Sequence, residues 1–237
     1  MADIRLTSLY GFFGIYEIPL WISYGISFFT ILVLTNSFNL IDGLDGLAGS
    51  ISLVTFMFLG WWFLEADLTS YSVFAFILVG SVLSFLVYNW HPAKIFMGDT
   101  GSLSLGFALA VLTILFIDKN GTMANYEGWK FNAPIASGIA LLIIPIYDTS
   151  RIFIKRTLKG KSPMAPDKSH VHHFLLRMGM RHEMLIWAML MKMMMMVLCK
   201  IHFSLCYCLA NIEKCFIHKT KFSKIFTKSI YRFDCSV

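Results

Sequence analysis

Three clusters of carboxylates, carboxamides, glycines and cations interrupt an otherwise apolar chain. The first reads Asn36-Ser-Phe-Asn39-Leu-Ile-Asp42-Gly-Leu-Asp45-Gly-Leu-Ala-Gly49. Asp42 and Asp45, three residues apart, would share one face if the segment is helical. The glycines would let backbone approach a ligand closely. The competing reading is that these residues are helix caps and turns, since Asn, Asp and Gly favour both. The second cluster reads Asn89-Trp-His91-Pro-Ala-Lys94-Ile-Phe-Met-Gly98-Asp99-Thr-Gly101-Ser102. A lone carboxylate among small residues suits a Mg²⁺ ion, which takes one or two carboxylates plus substrate phosphates. Asp99 would serve equally as the N-cap of a following helix. No Gly-Lys-Ser/Thr follows Gly98 or Gly101, so this is not a P-loop.

The third cluster holds Asp148, Arg151, Arg156, Lys159 and Lys161, then Pro166-Asp167-Lys-Ser-His170-Val-His172-His173. Three histidines in four residues suit a transition metal, and the cations suit anionic lipid headgroups. Taken with the two acidic clusters, a diphosphate site accounts for more of the residues. Cations would hold phosphate oxygens and acids would hold the metal bridging them.

The elements that must position these clusters follow from composition. Of 237 residues, 57% are hydrophobic and 14% charged, against roughly 25% charged in a soluble domain. That much apolar surface exceeds what one soluble core of this length hides, so lipid is the expected solvent. Uncharged runs at Ile18–Ile41, Gly46–Leu64, Leu68–Trp90, Thr100–Ile117 and Phe131–Tyr147 predict five spanning helices. A sixth stretch, Met184–Ile212, is interrupted by Lys192, Lys200 and His202. In lipid each backbone group must be bonded within its own segment, so the fold class is all-α and polytopic, with five to six transmembrane helices. Gly60, Gly80, Gly106 and Gly138 lie inside the runs and read as close-packing points.

Two spans separate each polar cluster from the next, so all three emerge on one face. That face carries Lys94 and eight basic residues between positions 148 and 183; the opposite face carries Arg5, Lys119 and Lys130. The excess places the clusters in the cytoplasm, with the chain a multi-pass protein of the cell inner (plasma) membrane. The net charge of +6 arises entirely from the last 90 residues, beside apolar spans, and argues for a phosphate-facing membrane surface rather than nucleic acid. All five cysteines fall after position 198 and match no zinc or redox spacing. No basic stretch followed at once by an apolar core opens the chain, so no cleavable signal peptide is expected.

The runs Asp42-Gly-Leu-Asp45-Gly-Leu-Ala and Phe96-Met-Gly-Asp99-Thr-Gly-Ser, with the later Pro145–His173 segment, resemble the motifs of the polyprenyl-phosphate N-acetylhexosamine-1-phosphate transferases (glycosyltransferase family 4). The His170-Val-His172-His173 ending is similar to the N-acetylglucosamine branch. The resemblance covers roughly residues 1–182. It implies transfer of a sugar 1-phosphate from a UDP-sugar to polyprenyl (undecaprenyl) phosphate with release of UMP, in cell-envelope polysaccharide synthesis such as that of lipopolysaccharide. It also implies Mg²⁺, for which Mn²⁺ could substitute. By the resemblance Asp99 is the metal ligand, and Asn39, Asp42, Asp45, His170, His172 and His173 are the catalytic group. Asn36, Asn89, Lys94, Arg151 and Arg156 are expected to bind substrate. Expected partners are the UDP-sugar, the polyprenyl phosphate, the bilayer and, in a homo-dimer, a second copy.

Two departures shape further expectations. The family carries an Asp-Asp pair on an earlier cytoplasmic loop, and no Asp-Asp occurs in this sequence. The chain therefore reads as a fragment of a larger helical bundle that does not complete the transfer by itself. The segment 1–183 is a partial transferase core, and 184–237, rich in Met, Cys and Lys, reads as an unrelated or frameshifted tail. Rival functions are an ion-coupled transporter or channel subunit and a non-catalytic scaffold. The transporter would place acids in mid-span on broken helices, whereas the uncharged runs here carry none.

Overall fold

The computed structural model describes residues 4–123, 130–158 and 190–191. Described residues form a 3-10 turn at Phe12–Gly14 and six helices: α1 (Leu20–Ile41), α2 (Leu47–Glu65), α3 (Thr69–Asn89), α4 (Gly98–Thr122), α5 (Pro134–Leu141) and α6 (Ile143–Thr157). No strand occurs among them. The protein is all-α, and α1 to α4 are each long and apolar enough to cross a membrane. Each spanning helix ends within a few residues of the charge or turn that ends its uncharged run.

The four long helices pack as two antiparallel pairs, α1 with α4 and α2 with α3, joined where α2 meets α4; α5 lies on α4, and α6 on α1. The centre is α2 and α4, whose most apolar windows are 67% and 56% buried, against 28% for α1 and 22% for α3. Lipid is as apolar as the side chains, so helix association there relies on packing rather than on expulsion of water. Ring geometry supplies some of that packing. Trp62 of α2 meets Phe116 of α4 edge-on at 4.7 Å between centroids, and Phe131 meets Phe116 edge-on at 5.7 Å.

Small residues supply the rest. A Cβ on Gly106 of α4 would lie 2.9 Å from the Phe38 Cβ and 3.1 Å from the Thr35 Cα and carbonyl oxygen of α1. Only hydrogen fits there, and the backbones of α1 and α4 meet closely at that point. Gly60 and Gly138 are likewise close-packing points, against Phe76 and Ile117. Gly80 is not: a Cβ there would have nothing within 4 Å, on an exposed face of α3.

At the ends of α1 and α4 remote from the polar clusters, the opening segment is laced onto both helices. The Leu6 N–H donates to Ser27 Oγ (2.8 Å), and Ser23 Oγ donates to the Leu6 carbonyl (2.5 Å). Asp118 Oδ1 accepts from the Thr7 N–H (3.3 Å), the Thr7 hydroxyl (2.5 Å) and the Tyr10 hydroxyl (2.9 Å). Burial pushes the Tyr10 hydroxyl up to about 12, with Asp118 adding to the rise, which keeps its proton for that bond.

Two boundaries differ from the sequence reading. The fifth run is not one helix: α5 ends at Leu141 and α6 begins at Ile143. Pro145 is the cause. It has no N–H for the Leu141 carbonyl four residues earlier, and its ring crowds that carbonyl. The Thr55 hydroxyl of α2 approaches the released oxygen at 3.5 Å. The second difference is that charge ends an apolar run but not necessarily a helix. The α4 helix continues past Ile117 through Asp118 to Thr122, and α6 continues through Asp148 and Arg151 to Thr157. Acids are thus present inside two helices, where the runs suggested none. Asp118 lies in the last turns of α4, and Asp148 is buried within α6.

The Gly106 contact makes a mutational prediction. Gly106→Val overpacks the α1–α4 seam and should cost about 1–3 kcal/mol, read as a lower thermal midpoint of the purified chain in detergent. Gly80→Ala, with open space around it, should leave the midpoint unchanged.

Candidate active site

The site is built where α1 ends, α2 begins, α3 ends and α4 begins. One turn along α1 from Thr35 stands Asn39; one turn along α4 from Gly106, toward its start, stands Ser102. The close approach at Gly106 therefore brings Asn39 and Ser102 together. The Asn39 carboxamide nitrogen donates to Ser102 Oγ at 2.7 Å and to Asp99 Oδ1 at 3.1 Å. Ser102 Oγ in turn donates to the Gly98 carbonyl at 3.0 Å. Asp99 is in the first turn of α4, where the helix dipole favours a negative charge. The N-cap residue is Met97, and no side chain caps this end. Asp99 is thus not a capping residue: its carboxylate is turned to Asn39 of the neighbouring helix.

Asp42 occupies the C-cap position of α1. Burial, and after it the negative charge of Asp99, pushes the Asp42 carboxyl up from an ordinary 3.8 to about 6. Two carboxylates from different helix ends therefore feel one another. No group of three or more His, Cys, Asp or Glu side chains that could hold a metal occurs among the described residues. The donor set is two carboxylates beside a carboxamide and a hydroxyl. It fits Mg²⁺ or Mn²⁺ completing its shell with phosphate or water oxygens, and does not fit an all-protein cage for a softer metal.

Asp45 is used differently. The segment 42–46 is a turn, not a helix, so Asp42 and Asp45 do not share the helical face that their spacing allowed. Asp45 Oδ2 accepts from the Ala93 N–H at 3.1 Å and lies 2.9 Å from His91 Nδ1. The next residue, Gly46, has φ of 73° and donates its N–H to Asn89 Oδ1 at 2.9 Å. Only glycine adopts that left-handed backbone cheaply. Asn89 Nδ2 donates to the Ile95 carbonyl at 2.8 Å. Asn89 is 4% exposed. Its carboxamide braces the two loops from within.

The remaining expected residues are more scattered. Asn36 is exposed on α1 and donates to the Leu32 carbonyl of its own helix at 2.7 Å. Lys94 is exposed on the second loop. Arg151 and Arg156 stand on α6 rather than in a loop. His170, His172 and His173 lie outside the described residues, as do most of 184–237. Two residues in the site were not singled out from the sequence. Ser102 receives the Asn39 bond, and His91 meets Asp45. Both sit in the second cluster, but serine and histidine there had no pattern to distinguish them from turn residues.

Residues 1–117 match the family model for glycosyl transferase family 4. The chain belongs to glycosyl transferase family 4. It is 39% identical over 164 residues to the "Probable undecaprenyl-phosphate N-acetylglucosaminyl 1-phosphate transferase" of Bacillus subtilis (strain 168), a match covering 69% of this chain and 43% of that protein. It is 35% identical over 159 residues to the decaprenyl-phosphate N-acetylglucosaminephosphotransferase of Mycolicibacterium smegmatis, covering 62% of this chain and 39% of that one. With the undecaprenyl-phosphate alpha-N-acetylglucosaminyl 1-phosphate transferase of Escherichia coli (strain K12) it shares 33% over 185 residues, covering 75% and 47%. The chain spans less than half the length of each of these family members. The Asn39–Asp99–Ser102 node and the Asp45–His91 and Gly46–Asn89 bonds all fall within the stretch matched by the family model.

The raised Asp42 group gives a pH prediction. Its folded value lies above the unfolded one, so ionising it costs stability; that cost is absent below about 3.8 and complete above about 6. A divalent cation held by Asp99 and Asp42 would remove the repulsion. Mg²⁺ should therefore raise the thermal midpoint more above pH 6 than below it. The Asp99→Asn chain should show a smaller Mg²⁺ effect and an Asp42 carboxyl that titrates lower by NMR, though still above its ordinary value. An equal Mg²⁺ effect on both sides of pH 6 would remove Asp42 from the cation site.

Proposed function

We propose that this chain supplies the metal and diphosphate end of a reaction that transfers N-acetylglucosamine 1-phosphate from its UDP derivative to undecaprenyl phosphate. In that reaction an oxygen of the lipid phosphate attacks the sugar-bearing phosphorus. The bond to the uridylyl oxygen breaks, leaving a lipid-diphosphate sugar and UMP. Catalysis of this kind is mostly charge neutralisation and placement. The observation that carries the reading is Asp99, held by Asn39 across the mouths of two apolar helices, with its charge acting on the buried Asp42. A bound Mg²⁺ would neutralise charge on the diphosphate. The protein's own part is to hold two carboxylates together against their repulsion, so that a cation is drawn between them.

The relatives' names support the lipid acceptor and the sugar. An apolar groove of about 410 Å³ supports the lipid side as well. It runs between α2 and α3, lined among others by Leu53, Val54, Leu83 and Val87, and includes Ser50 and Trp90 near the two loops. An isoprenoid chain entering from the bilayer would find apolar walls leading toward the polar end. The cations of the 148–183 segment and the three histidines are assigned to the sugar-phosphate side of the site. The polar end faces the cytoplasm in this reading, since UDP-sugars are made there and the basic residues concentrate on that face.

Titration of the purified chain with UDP-N-acetylglucosamine should show binding that requires Mg²⁺ or Mn²⁺, is competed by UMP, and is lost in Asp99→Asn while the helix content stays unchanged. With undecaprenyl phosphate present, UMP release should appear when a segment bearing an Asp-Asp loop is added. Binding indifferent to the metal and to Asp99 would end the reading.

The orientation has its own test. In a background lacking the native cysteines, a cysteine at Ala93 should resist a membrane-impermeant thiol reagent in intact cells, and one at Ser70, on the opposite face, should react. The reverse pattern would put the site outside the cytoplasm.

A further inference from the structure

We infer that His91 is a positioning residue for this site: its Nδ1–H fixes the rotation of the Asp45 carboxylate. The inference rests on the transferase reading for the purpose of the placement, but the contact itself does not. His91 Nδ1 and the Ala93 N–H both converge on a single oxygen, Asp45 Oδ2, at 2.9 and 3.1 Å. Two donors on one oxygen fix its direction more tightly than one would. They also settle the ring's proton. A carboxylate accepts and does not donate, so the neutral imidazole carries its hydrogen on Nδ1 and presents Nε2 as an acceptor.

The contact is not needed to hold the loops together. Asn89 bonds the Gly46 N–H on one side and the Ile95 carbonyl on the other, and it is buried. The Lys94 N–H closes the second loop on the Tyr88 carbonyl at 2.8 Å, and the Ala93 N–H reaches Asp45 whatever residue stands at 91. His91 itself is 40% exposed at its side chain. A residue so exposed, in loops already braced by buried backbone and carboxamide bonds, contributes little to the fold. At Asp45 it adds direction to the carboxylate. The arrangement parallels the way an outer partner orients a ligating side chain, where loss of the partner typically costs on the order of 10–100-fold in affinity or activity.

The distinction between a packing role and a positioning role can be made with two isosteres. Asparagine places its amide N–H near where histidine has Nδ1, and glutamine places it nearer Nε2. His91→Asn should keep the bond to Asp45 and hold Mg²⁺-dependent UDP-N-acetylglucosamine affinity within about 3-fold of the unsubstituted chain, whereas His91→Gln and His91→Ala should each weaken it by about 10-fold or more. All three should keep the thermal midpoint. Long-range ¹⁵N–¹H spectra of the full chain in detergent should show the Nδ1–H tautomer at His91, and Asp45→Asn should shift that Nδ1 proton. Equal losses in the Asn and Gln variants, unchanged affinity in His91→Ala, or an Nε2–H tautomer would each overturn the inference. If the unsubstituted chain binds no UDP-sugar, the transferase reading fails, and the tautomer and its dependence on Asp45 then decide the pair alone.

Discussion

The site depends on one contact, the approach of α4 to α1 at Gly106. With hydrogen in place of a side chain, the Thr35 backbone and the Phe38 Cβ come close enough for Asn39 to reach across to Ser102 and Asp99. A carboxamide is suited to that position. It carries no charge into the end of an apolar span, yet it donates to a carboxylate and a hydroxyl at once. Wider spacing would break both bonds, and Asp99 would be left as a charge at a helix start with only the dipole beside it.

The two ends of the α1–α4 pair treat their acids in opposite ways. At the far end Asp118 receives a backbone N–H and two hydroxyls, all from the opening segment. Its charge is met within the protein. At the near end burial, and after it the negative charge of Asp99, lifts Asp42 toward neutrality. An acid satisfied by neutral donors stabilises a helix end; a repelling pair costs energy until something positive arrives. The far end closes the bundle, and the near end keeps the repulsion on which the proposed cation site rests.

Around that pair, the two loops are laced so that each carries part of the other's geometry. The left-handed Gly46 turns its N–H into Asn89, while Asp45 takes donors from Ala93 and His91. These bonds cross between segments more than 40 residues apart in sequence. They tie the start of α2 to the end of α3, as Asn39 ties the end of α1 to the start of α4. Four helix ends are thereby fixed relative to one another with little help from the hydrophobic effect, which contributes little between helices in lipid.

Much of this was legible in the sequence because lipid imposes simple rules. Uncharged runs had to be helices, their ends had to fall near charges, and alternate loops had to share a face. The Asp42-Gly-Leu-Asp45 and Phe96-Met-Gly-Asp99 runs pointed to family 4 before any fold was known. Local spacing could not tell Asp42 from Asp45, since a three-residue interval is one face in a helix and two directions in a turn. Nor could it show that Asn89 is turned inward, that His91 rather than Lys94 meets a carboxylate, or that Pro145 splits the fifth run while Asp148 and Arg151 remain helical. Each of those outcomes is set by a partner distant in sequence: Asn89 for Gly46, Asp45 for His91, α2 for the carbonyl freed by Pro145. Residue type and spacing determined which elements form and which chemistry they carry. Only the packing of α1 on α4 and α2 on α3 decided that Asp42 feels the charge of Asp99 while Asp45 meets His91 and Ala93 of the second loop, because that choice depends on distances that no single segment contains.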